Sequence, residues 1–562
     1  MESPTTMLAD ISGNLVAALE SLIPEDGGCQ TVEIRRRDNA PADARFFFRD
    51  RTWLGSAAGR ETLDRIAAHD HVAELRAKGP AVSLRFTERF IEELGDRIAN
   101  GQDAGLSTAH LLAGRRFVVG FAGPNTSKAL HIGHLRNVSI GNALAAAMRA
   151  AGGEVERGSL VGDIGRNICE AMAGYRLFHD GDDPAVLGRK HDHFIGECYA
   201  RFIREHYAQG ASAATGDPIQ RELANNGDLA DRLMQGWLAG DPDTRLLWST
   251  IREWVIQGHA LTLSRFGVAI ERHDFEADAM EDVPALMERG LALGVLDREA
   301  DGTIVYRSGR EEFETMILVR NDGFPTEHAR LLGVYFRQLD ERRDNETYID
   351  LAGTEWHAAS AMHMELMAKI HPERPNVRHV QLFHSMVTLR DAKMSSSDGE
   401  AVLIDDLLDQ LVALPQIGAL VECAGGGIDR DTVASIVVKS FFLCRPHMKV
   451  MEFSWDLLVQ TDNPGWTIAG AWCNAIAPDA GTELETPDSD AAAALYRLLV
   501  IRSQEYFRNL EEAATEYNLA GLTSYLLHYC EDYLRIPRHP KLKRLVRPVL
   551  HRCMNALGLL EG

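Results

Sequence analysis

Two short motifs contain residues that could handle the phosphates of a nucleotide. The first is GPNTSKALHIGHLR, where His131, Gly133 and His134 follow a run of turn-forming residues. At a helix start, free N–H groups bind anions, and two imidazoles can donate hydrogen bonds to phosphate oxygens. Gly133 would let a flat purine or ribose approach the backbone, and Lys128 adds a positive charge just upstream. By itself the motif is equally compatible with a helix start that binds no ligand.

The second motif is LRDAKMSSSDGEAV, with Lys393 in a loop rich in serine and glycine. A lysine in such a loop can close over a triphosphate as charge moves onto the leaving pyrophosphate. Alone, the segment is also typical of a solvated turn before the helical pattern IDDLLDQLVAL. Neither motif is a Walker P-loop, and the chain has no GxGxxG dinucleotide motif.

The elements around the first motif predict a parallel sheet. RRFVVGFA at 115–122 is typical of a buried strand, and a helical pattern follows it up to Gly152. EVERGSLVGD then predicts a second strand. Strand, loop, helix and strand form the βαβ unit of an α/β fold with a doubly wound, Rossmann-like parallel sheet. We expect further strands at TYIDLAG (347–353) and within VRHVQLFHSMV (377–387), and helical insertions over about 175–300.

Three domains are expected from the change of pattern along the chain. Residues 1–110 predict an α+β module, with strands at RFFFRD and AVSLRF and a helix over RETLDRIAAHDHVAELRAK. Residues 111–405 would form the catalytic domain with its insertions. Residues 406–562 are almost entirely helical in pattern and predict a C-terminal helical bundle.

Composition limits the class of protein. The net charge of −23 argues against a protein covered by nucleic acid, because phosphate binding needs positive surface. One segment, 535–552, has seven Lys/Arg and no Asp/Glu; it is either a solvated helix face or a local RNA contact. The cysteines form no CxxC pair, so no metal site is expected. We predict a cytoplasmic chain, since neither a leader nor a membrane-spanning run is evident.

Together, about 260 residues apart, the two motifs resemble the HIGH and KMSKS motifs of class I aminoacyl-tRNA synthetases. GPN-x-x-K and LVGDIGRN are similar to the SPN-x-x-K and LGDWGTQ segments of the arginyl-tRNA synthetase family. FGVAIERHDF and LVRNDGFPT follow the middle region of that family in order. The resemblance covers 115–562 and is weak over 1–110, where the family has a module that touches the tRNA elbow.

The resemblance implies a two-step reaction that uses ATP and Mg²⁺. The carboxylate of an amino acid attacks the α-phosphate, and the 3′-terminal ribose hydroxyl of tRNA then attacks the adenylate. The implied catalytic residues are His131, His134, Lys128 and Lys393. The implied ATP-binding residues are Gly133, Met394, Ser395 and Ser396, and the implied amino-acid-binding residues are Asn125, Glu327 and Glu355. The tRNA would contact the helical C-terminal domain, including Arg535, Lys541, Lys543 and Arg544.

The amino-acid pocket departs from the family pattern. The family has an acid at the place of Gly120, and a tyrosine and an aspartate at the places of Glu327 and Leu331. A buried guanidinium needs carboxylate acceptors. We therefore expect weakened selection of arginine unless Glu327 or Glu355 replaces them. Ser396 stands where KMSKS has its second lysine, a role that the resemblance assigns to Lys128.

Three functions follow from these observations. The first is arginyl-tRNA synthetase activity. The second is a paralogue that activates another amino acid and passes it to a dedicated tRNA or to a small amine. The third is a non-catalytic tRNA-binding relative, against which the presence of His131, His134 and Lys393 argues.

Overall fold

Alternating apolar side chains form an antiparallel sheet near the N-terminus of the computed structural model. The structure describes residues 29–34, 42–48, 51–102, 110–208, 229–309, 315–341, 345–373, 379–390, 402–478, 489–537 and 539–560. The first elements are β1 (Cys29–Ile34), β2 (Ala44–Phe48), α1 (Arg51–Gly55), α2 (Ala57–Ala67), β3 (Val72–Lys78), β4 (Ala81–Phe86) and α3 (Glu88–Ala99). The strand order is β1-β2-β4-β3. Every second residue of β4 is buried, as expected for a strand with one face on a core.

One predicted helix in this module is wrong over its second half. RETLDRIAAHDHVAELRAK was expected to be helical throughout, but α2 ends at Ala67 and Val72–Lys78 form β3. The β3 strand pairs antiparallel with β4 through a turn at Gly79, whose φ is +63°. Pairing with a strand that lies later in the chain thus outweighs the helix propensity of Ala, Glu, Leu and Arg.

The predicted βαβ unit is present. It consists of β5 (Arg116–Gly120), α4 (Ile132–Ala150) and β6 (Glu154–Val161), and β5 pairs in parallel with β6. Phe117, Val118 and Val119 are all buried, as in a strand covered on both faces.

The segment after β6 adds helices, a small three-stranded sheet and the remaining strands of the central sheet. Its elements are α5 (Arg166–Phe178), α6 (His191–Ala208), α7 (Leu229–Ala239), α8 (Pro242–Arg265), β7 (Arg272–Phe275), α9 (Glu276–Ala279), α10 (Val283–Ala292), β8 (Asp297–Arg298), β9 (Ile304–Arg307), β10 (Thr315–Val319), α11 (Glu327–Asp340), β11 (Glu346–Gly353), α12 (His357–Ile370) and β12 (His379–His384). The predicted strands β11 and β12 are confirmed. The sequence reading missed β7, which lies inside the stretch expected to be helical.

Five parallel strands form the central sheet in the order β12-β11-β5-β6-β7. The order reverses direction at β5, because the chain proceeds from β5 to β6 on one side and returns to β11 on the other. In such sheets ligands bind at the carboxyl ends of the strands, where the order reverses. The α/β doubly wound fold is therefore confirmed, and it places the GPNTSK loop, which follows β5, at this edge.

The described residues of the C-terminal region are helical apart from one short strand pair. Its elements are β13 (Val387–Leu389), α13 (Ile404–Val412), α14 (Pro415–Cys423), α15 (Arg430–Leu443), β14 (Met451–Phe453), α16 (Trp455–Val459), α17 (Pro464–Ile476), α18 (Ser489–Ser503), α19 (Tyr506–Thr515), α20 (Ala520–Tyr533) and α21 (Pro540–Ala556). One apolar cluster includes Phe46 of the first sheet, Val119 of the central sheet and Leu526 of the bundle. The domain boundaries at 110 and 405 stay a prediction. In the part of the chain that the structure describes, no helix is long and apolar enough to cross a membrane.

Candidate active site

The predicted helix start lies at the carboxyl edge of the sheet. α4 begins at Ile132, and His131 Nδ1 accepts a hydrogen bond from the Gly133 N–H at 3.2 Å. His134 Nδ1 accepts one from the His131 N–H, also at 3.2 Å. The two rings cap the helix with their centroids 4.1 Å apart. In the tautomer that accepts both of these hydrogen bonds, each neutral ring carries its proton on Nε2 and can donate it to an anion.

Both imidazoles are neutral near pH 7. Burial lowers the pKa of His131 to about 4, and the charge of Lys128 adds to the effect. Burial also lowers the pKa of His134 well below its ordinary value, with smaller contributions from its ionisable neighbours. The site thus offers neutral N–H donors and the partial positive charge of a helix end, with the exposed Lys128 nearby.

Gly133 keeps this helix start open. It is exposed, and a Cβ at this position would lie 2.8 Å from His131 Cε1. Any larger residue would push the His131 ring out of its cap. Glycine therefore preserves the imidazole pair and leaves the backbone exposed.

The lysine motif lies outside the described residues, so Lys393, Met394, Ser395 and Ser396 keep their predicted roles without a structural account. Both of its described flanks contact α4. After the motif, the Ile132 N–H donates to the Val402 carbonyl at 3.0 Å, and the Ile404 N–H donates to the Leu130 carbonyl at 3.1 Å. The segment that follows the motif is therefore hydrogen-bonded to the start of the histidine helix.

Arg136 anchors the flank that precedes the lysine motif. Its guanidinium is fully buried and donates to the carbonyls of Ser385 at 2.8 Å, Pro446 at 2.9 Å and Lys449 at 3.0 Å. The sequence reading did not single out this residue. The feature of the sequence that could have identified it is its place in the HIGHLR motif, within a buried turn of the helix. A buried guanidinium must find hydrogen-bond acceptors in the fold.

A cavity of about 270 Å³ joins the helix start to an acidic pocket. Its lining includes Gly120, Asn125, Gly133, His134, Asn137, Gly162, Glu276, Glu327, Leu331, Tyr335, Asp350, Glu355, Trp356, Ser360 and His384. The three residues predicted to bind the amino acid, Asn125, Glu327 and Glu355, all line it. The structure adds two carboxylates that sequence reasoning missed, Asp350 and Glu276.

Asp350 lies where Gly120 leaves space. The two residues are register partners on the parallel strands β11 and β5, and a Cβ at Gly120 would lie 2.6 Å from Asp350 Oδ1. A carboxylate therefore occupies this place although position 120 has no side chain. The other carboxylate oxygen, Oδ2, is hydrogen-bonded to His379 Nε2, which fixes the orientation of the acid. Only strand pairing reveals this substitution.

Glu276 is already partly neutralised within the protein. Arg330 donates to it from Nε at 2.6 Å and to the Pro325 carbonyl from Nη1 at 2.8 Å. Burial raises the pKa of Glu276 to about 7, although Arg330 opposes the rise. Glu276 thus serves chiefly to hold Arg330, which leaves Glu327, Asp350 and Glu355 as the acceptors for a ligand cation.

Glu327 lies in the first turn of α11, and its carboxylate faces the cavity. Burial raises its pKa, while the charge of Arg330 opposes the rise. Glu355 is exposed at the cavity edge, and a Cβ at Gly353 would overlap its carboxylate. These two acids approach the cavity from different elements, and so could contact one cationic ligand together.

Asn137 fixes the geometry between the first motif and β11. Its Oδ1 accepts from the Ala122 N–H at 2.6 Å, and its Nδ2 donates to the Leu351 carbonyl at 2.8 Å. Ala122 has φ of +55°, a conformation that residues other than glycine rarely adopt. The amide thus holds the loop after β5 in a bent path beside the cavity.

The basic C-terminal residues make contacts within the protein. Lys541 Nζ lies 2.7 Å from Glu92 Oε1, and Arg544 Nη2 donates to Asn100 Oδ1 at 2.7 Å. Lys543 is buried and donates to the Ala477 carbonyl. Arg535 is half exposed, with Asp532 nearby. Lys541 and Arg544 therefore connect α21 to α3 of the N-terminal module. Contact of these basic residues with tRNA stays a prediction.

A buried histidine behind the pocket predicts acid sensitivity. His363 is fully buried, neither ring nitrogen has a hydrogen-bond partner among the described residues, and burial lowers its pKa to about 3. The unfolded chain takes up a proton near pH 6.5 and the folded chain does not. Stability is therefore complete above about pH 6.5 and falls as the pH drops, by up to about 1.4 kcal/mol per unit for one such group.

When the pH falls from 6.5 to 4.5, we expect the free energy of unfolding of His363→Phe to decrease by about 2 kcal/mol less than that of the natural chain. Denaturant unfolding at the two pH values measures this difference. The exposed His551→Phe is the control and should keep the natural slope. An unchanged slope in His363→Phe would show that this imidazole is protonated in the folded state.

Comparison with protein families and curated proteins gives a consistent result. Residues 102–416 match the family model described as tRNA synthetases class I (R), catalytic domain. An arginine–tRNA ligase of Treponema pallidum is 31% identical over 339 residues, which are 60% of this chain and 54% of the relative. One of Amoebophilus asiaticus is 28% identical over 304 residues, 53% of this chain and 50% of the relative. The chain thus spans about half the length of the curated relatives it matches.

Solved structures agree in fold. The Thermus thermophilus arginyl-tRNA synthetase superposes with a TM-score of 0.67 and 18% identity, covering 98% of this chain and 99% of that chain. The Plasmodium falciparum arginyl-tRNA synthetase superposes with a TM-score of 0.61 and 13% sequence identity. The superposition covers 100% of this chain and 99% of that chain. At this identity the similarity concerns the fold.

Proposed function

The chain belongs to the arginyl-tRNA synthetase family of class I, and we propose that it uses ATP in the cytoplasm to activate arginine as an adenylate. It then transfers the arginyl group to tRNA. The observation that supports this proposal is one cavity that joins a paired-histidine helix start to three carboxylates. The helix start that would bind phosphate and the acids that would bind a cationic side chain line the same cavity, which is the arrangement that adenylate formation needs.

In the first step the arginine carboxylate attacks the α-phosphate of ATP, and pyrophosphate leaves. The Nε2–H groups of His131 and His134 donate to phosphate oxygens as negative charge develops. The helix start adds its free N–H groups. Since these donors are fixed by the cap before ATP binds, no energy is spent to reorganise them during the reaction. Magnesium would be bound by the phosphate oxygens of ATP and would neutralise the leaving pyrophosphate.

Glu327, Asp350 and Glu355 would receive the guanidinium. A guanidinium has five N–H donors in a planar arrangement, so acceptors on several sides suit it better than they suit a compact ammonium. Its positive charge would also favour the ionised form of Glu327, whose pKa burial raises. Asn125, exposed at the same cavity, is suited to the amino acid's polar backbone groups.

The direct test is ATP–pyrophosphate exchange over a panel of amino acids, each with and without total tRNA. We expect arginine to support exchange, with tRNA increasing the rate. Exchange with a different amino acid would instead show the paralogue that serves another pathway. The absence of exchange with every amino acid, with and without tRNA, would contradict the proposal.

The two lysines of the motifs should act mainly on the rate of activation. Lys393→Ala and Lys128→Ala should each lower kcat of exchange by about tenfold or more, with a much smaller change in KM for ATP. The reason is that their charge matters most as pyrophosphate leaves. Steady-state exchange at varied ATP concentration separates the two parameters. An effect confined to KM would show contacts to ATP in the ground state only.

The exposed Lys449 offers a control of equal charge. Lys449→Ala should leave kcat unchanged, because the contact that this residue makes to Arg136 uses its backbone carbonyl.

A further inference from the structure

A partly buried ionic cluster joins three helices beside the start of α4. Its members are Lys190, Asp192, His193, Thr262 and Asp405. The Lys190 ammonium lies 2.9 Å from Asp192, 2.6 Å from Thr262 Oγ1 and 2.8 Å from Asp405 Oδ2. The same Asp405 oxygen accepts from Thr262 Oγ1 at 2.9 Å and from His193 Nε2 at 2.9 Å. Three hydrogen-bond donors, on Lys190, Thr262 and His193, therefore converge on the Asp405 carboxylate.

These donors stabilise Asp405 as an anion. Burial alone would raise its pKa, but the hydrogen bonds from His193 and Lys190 lower it strongly. Asp192 is fully buried, and a Cβ at Gly258 of α8 would overlap its carboxylate. Glycine at this point thus lets Asp192 lie directly against α8.

One face of α8 contacts both the first motif and Asp405 of α13. His259 Nε2 donates to the Lys128 carbonyl at 2.9 Å, one turn before Thr262 donates to Asp405. One turn later, Arg265 Nη1 reaches the Asp405 carbonyl at 3.4 Å. The helix is 24 residues long, and these contacts come from three consecutive turns of it. Lys128 and Asp405 are therefore held by the same rigid element.

The residues that follow the lysine motif also contact the first motif directly. Asp405 is the second residue of α13, which follows the Leu130–Ile132 to Val402–Ile404 backbone pairing. This pairing fixes the residues that flank His131 on both sides. The contacts thus form a closed path from the first motif through α8 to Asp405, and back through residues 402–404 to the first motif.

We propose that Asp405 is a positioning residue of the activation reaction, and that α8, through Asp405, holds residues 402–404 at a fixed position against the start of α4. The role rests on the proposed function. Asp405 does not touch the cavity; it acts by keeping residues 402–404 paired with the start of α4, so that the His131 and His134 donors stay aligned. Misplacement of such groups by about 1 Å can lower a rate up to a hundredfold.

A metal site is a weaker interpretation of the same residues. Ligand atoms of Asp192, His193 and Asp405 lie within 4.8 Å of one another, as divalent ions require. However, the Lys190 ammonium already lies between the two carboxylates and supplies the neutralising positive charge. A cation would have to displace it against charge repulsion.

The test compares Asp405→Asn with Asp406→Asn in the full-length chain. Asp406 is the exposed neighbour on the same helix turn and receives the same chemical change. We expect Asp405→Asn to lower kcat of arginine-dependent exchange about tenfold with KM for arginine changed less than about twofold. Amide hydrogen exchange of Ile132 and Ile404 should be faster in this variant, and Asp406→Asn should match the natural chain in both measurements.

Thr262→Val and Thr262→Ser give a second pair that leaves the carboxylate in place. Valine removes the hydroxyl, so the kcat loss and the faster amide exchange should recur. Serine retains the hydroxyl and should restore both. This pair decides the question if Asp405→Asn fails to fold.

Natural kcat and natural amide protection in Asp405→Asn and Thr262→Val would overturn the proposal. So would equal losses in Thr262→Ser and Thr262→Val, since the hydroxyl would then have no role. Failure of the proposed function has a different signature: the natural chain itself would show no exchange. Amide protection at Ile132 and Ile404 would still test the coupling in that case.

Discussion

Replacing His134 by alanine should lower the rate of arginine-dependent pyrophosphate exchange by about two to three orders of magnitude. The imidazole supplies one Nε2–H donor to phosphate charge that develops only in the transition state. It also accepts the His131 N–H in the helix cap. Loss of that second contact should add about 0.5–2 kcal/mol of destabilisation. The expected result is a large fall in kcat with a modest fall in the melting temperature.

Two further variants separate catalysis from capping. His134→Asn retains a short side chain whose oxygen can accept from the His131 N–H, so it should recover much of the lost stability without the activity. The exposed His551→Ala on α21 controls for the loss of a histidine as such. If exchange kinetics stay natural in His134→Ala, the helix start has no part in the reaction.

The second large effect concerns the pocket acids. Glu327→Gln should reduce the preference for arginine over citrulline, its neutral counterpart, by about 10- to 150-fold. A hydrogen bond to a charged group contributes about 1.5–3 kcal/mol, and each 1.4 kcal/mol is a factor of ten. Asp350→Asn should act in the same direction, because its carboxylate lies at the place that Gly120 leaves open. The measurement is kcat/KM of exchange for both amino acids in each variant.

Glu341→Gln provides the matched control for this test. Glu341 caps the opposite end of α11, its side chain is largely exposed, and it pairs with Arg272 away from the cavity. It should keep the natural ratio of arginine to citrulline. A natural ratio in Glu327→Gln and Asp350→Asn alike would show that the guanidinium is bound elsewhere. A preference for another amino acid in the natural chain would support the paralogue function.

The sequence by itself determined the features that depend on neighbouring residues. The apolar run of β5, the turn-forming loop and the helix that starts at Ile132 are encoded within 116–150. The helix after the lysine motif was equally clear from the spacing of its leucines. Local propensity and periodicity decide such elements, because the interactions that stabilise them lie within one or two turns of the chain.

Tertiary structure alone decided the contacts between distant segments. The helical pattern at 72–78 became a strand because β4 pairs with it, and the acid lost at Gly120 was supplied by Asp350, 230 positions later. Lys543, predicted to contact tRNA, is buried against the Ala477 carbonyl instead of being exposed. Sheet register and the pairing of buried charges depend on which segments meet in the fold. The spacing of residues along the sequence does not specify which distant segments come into contact.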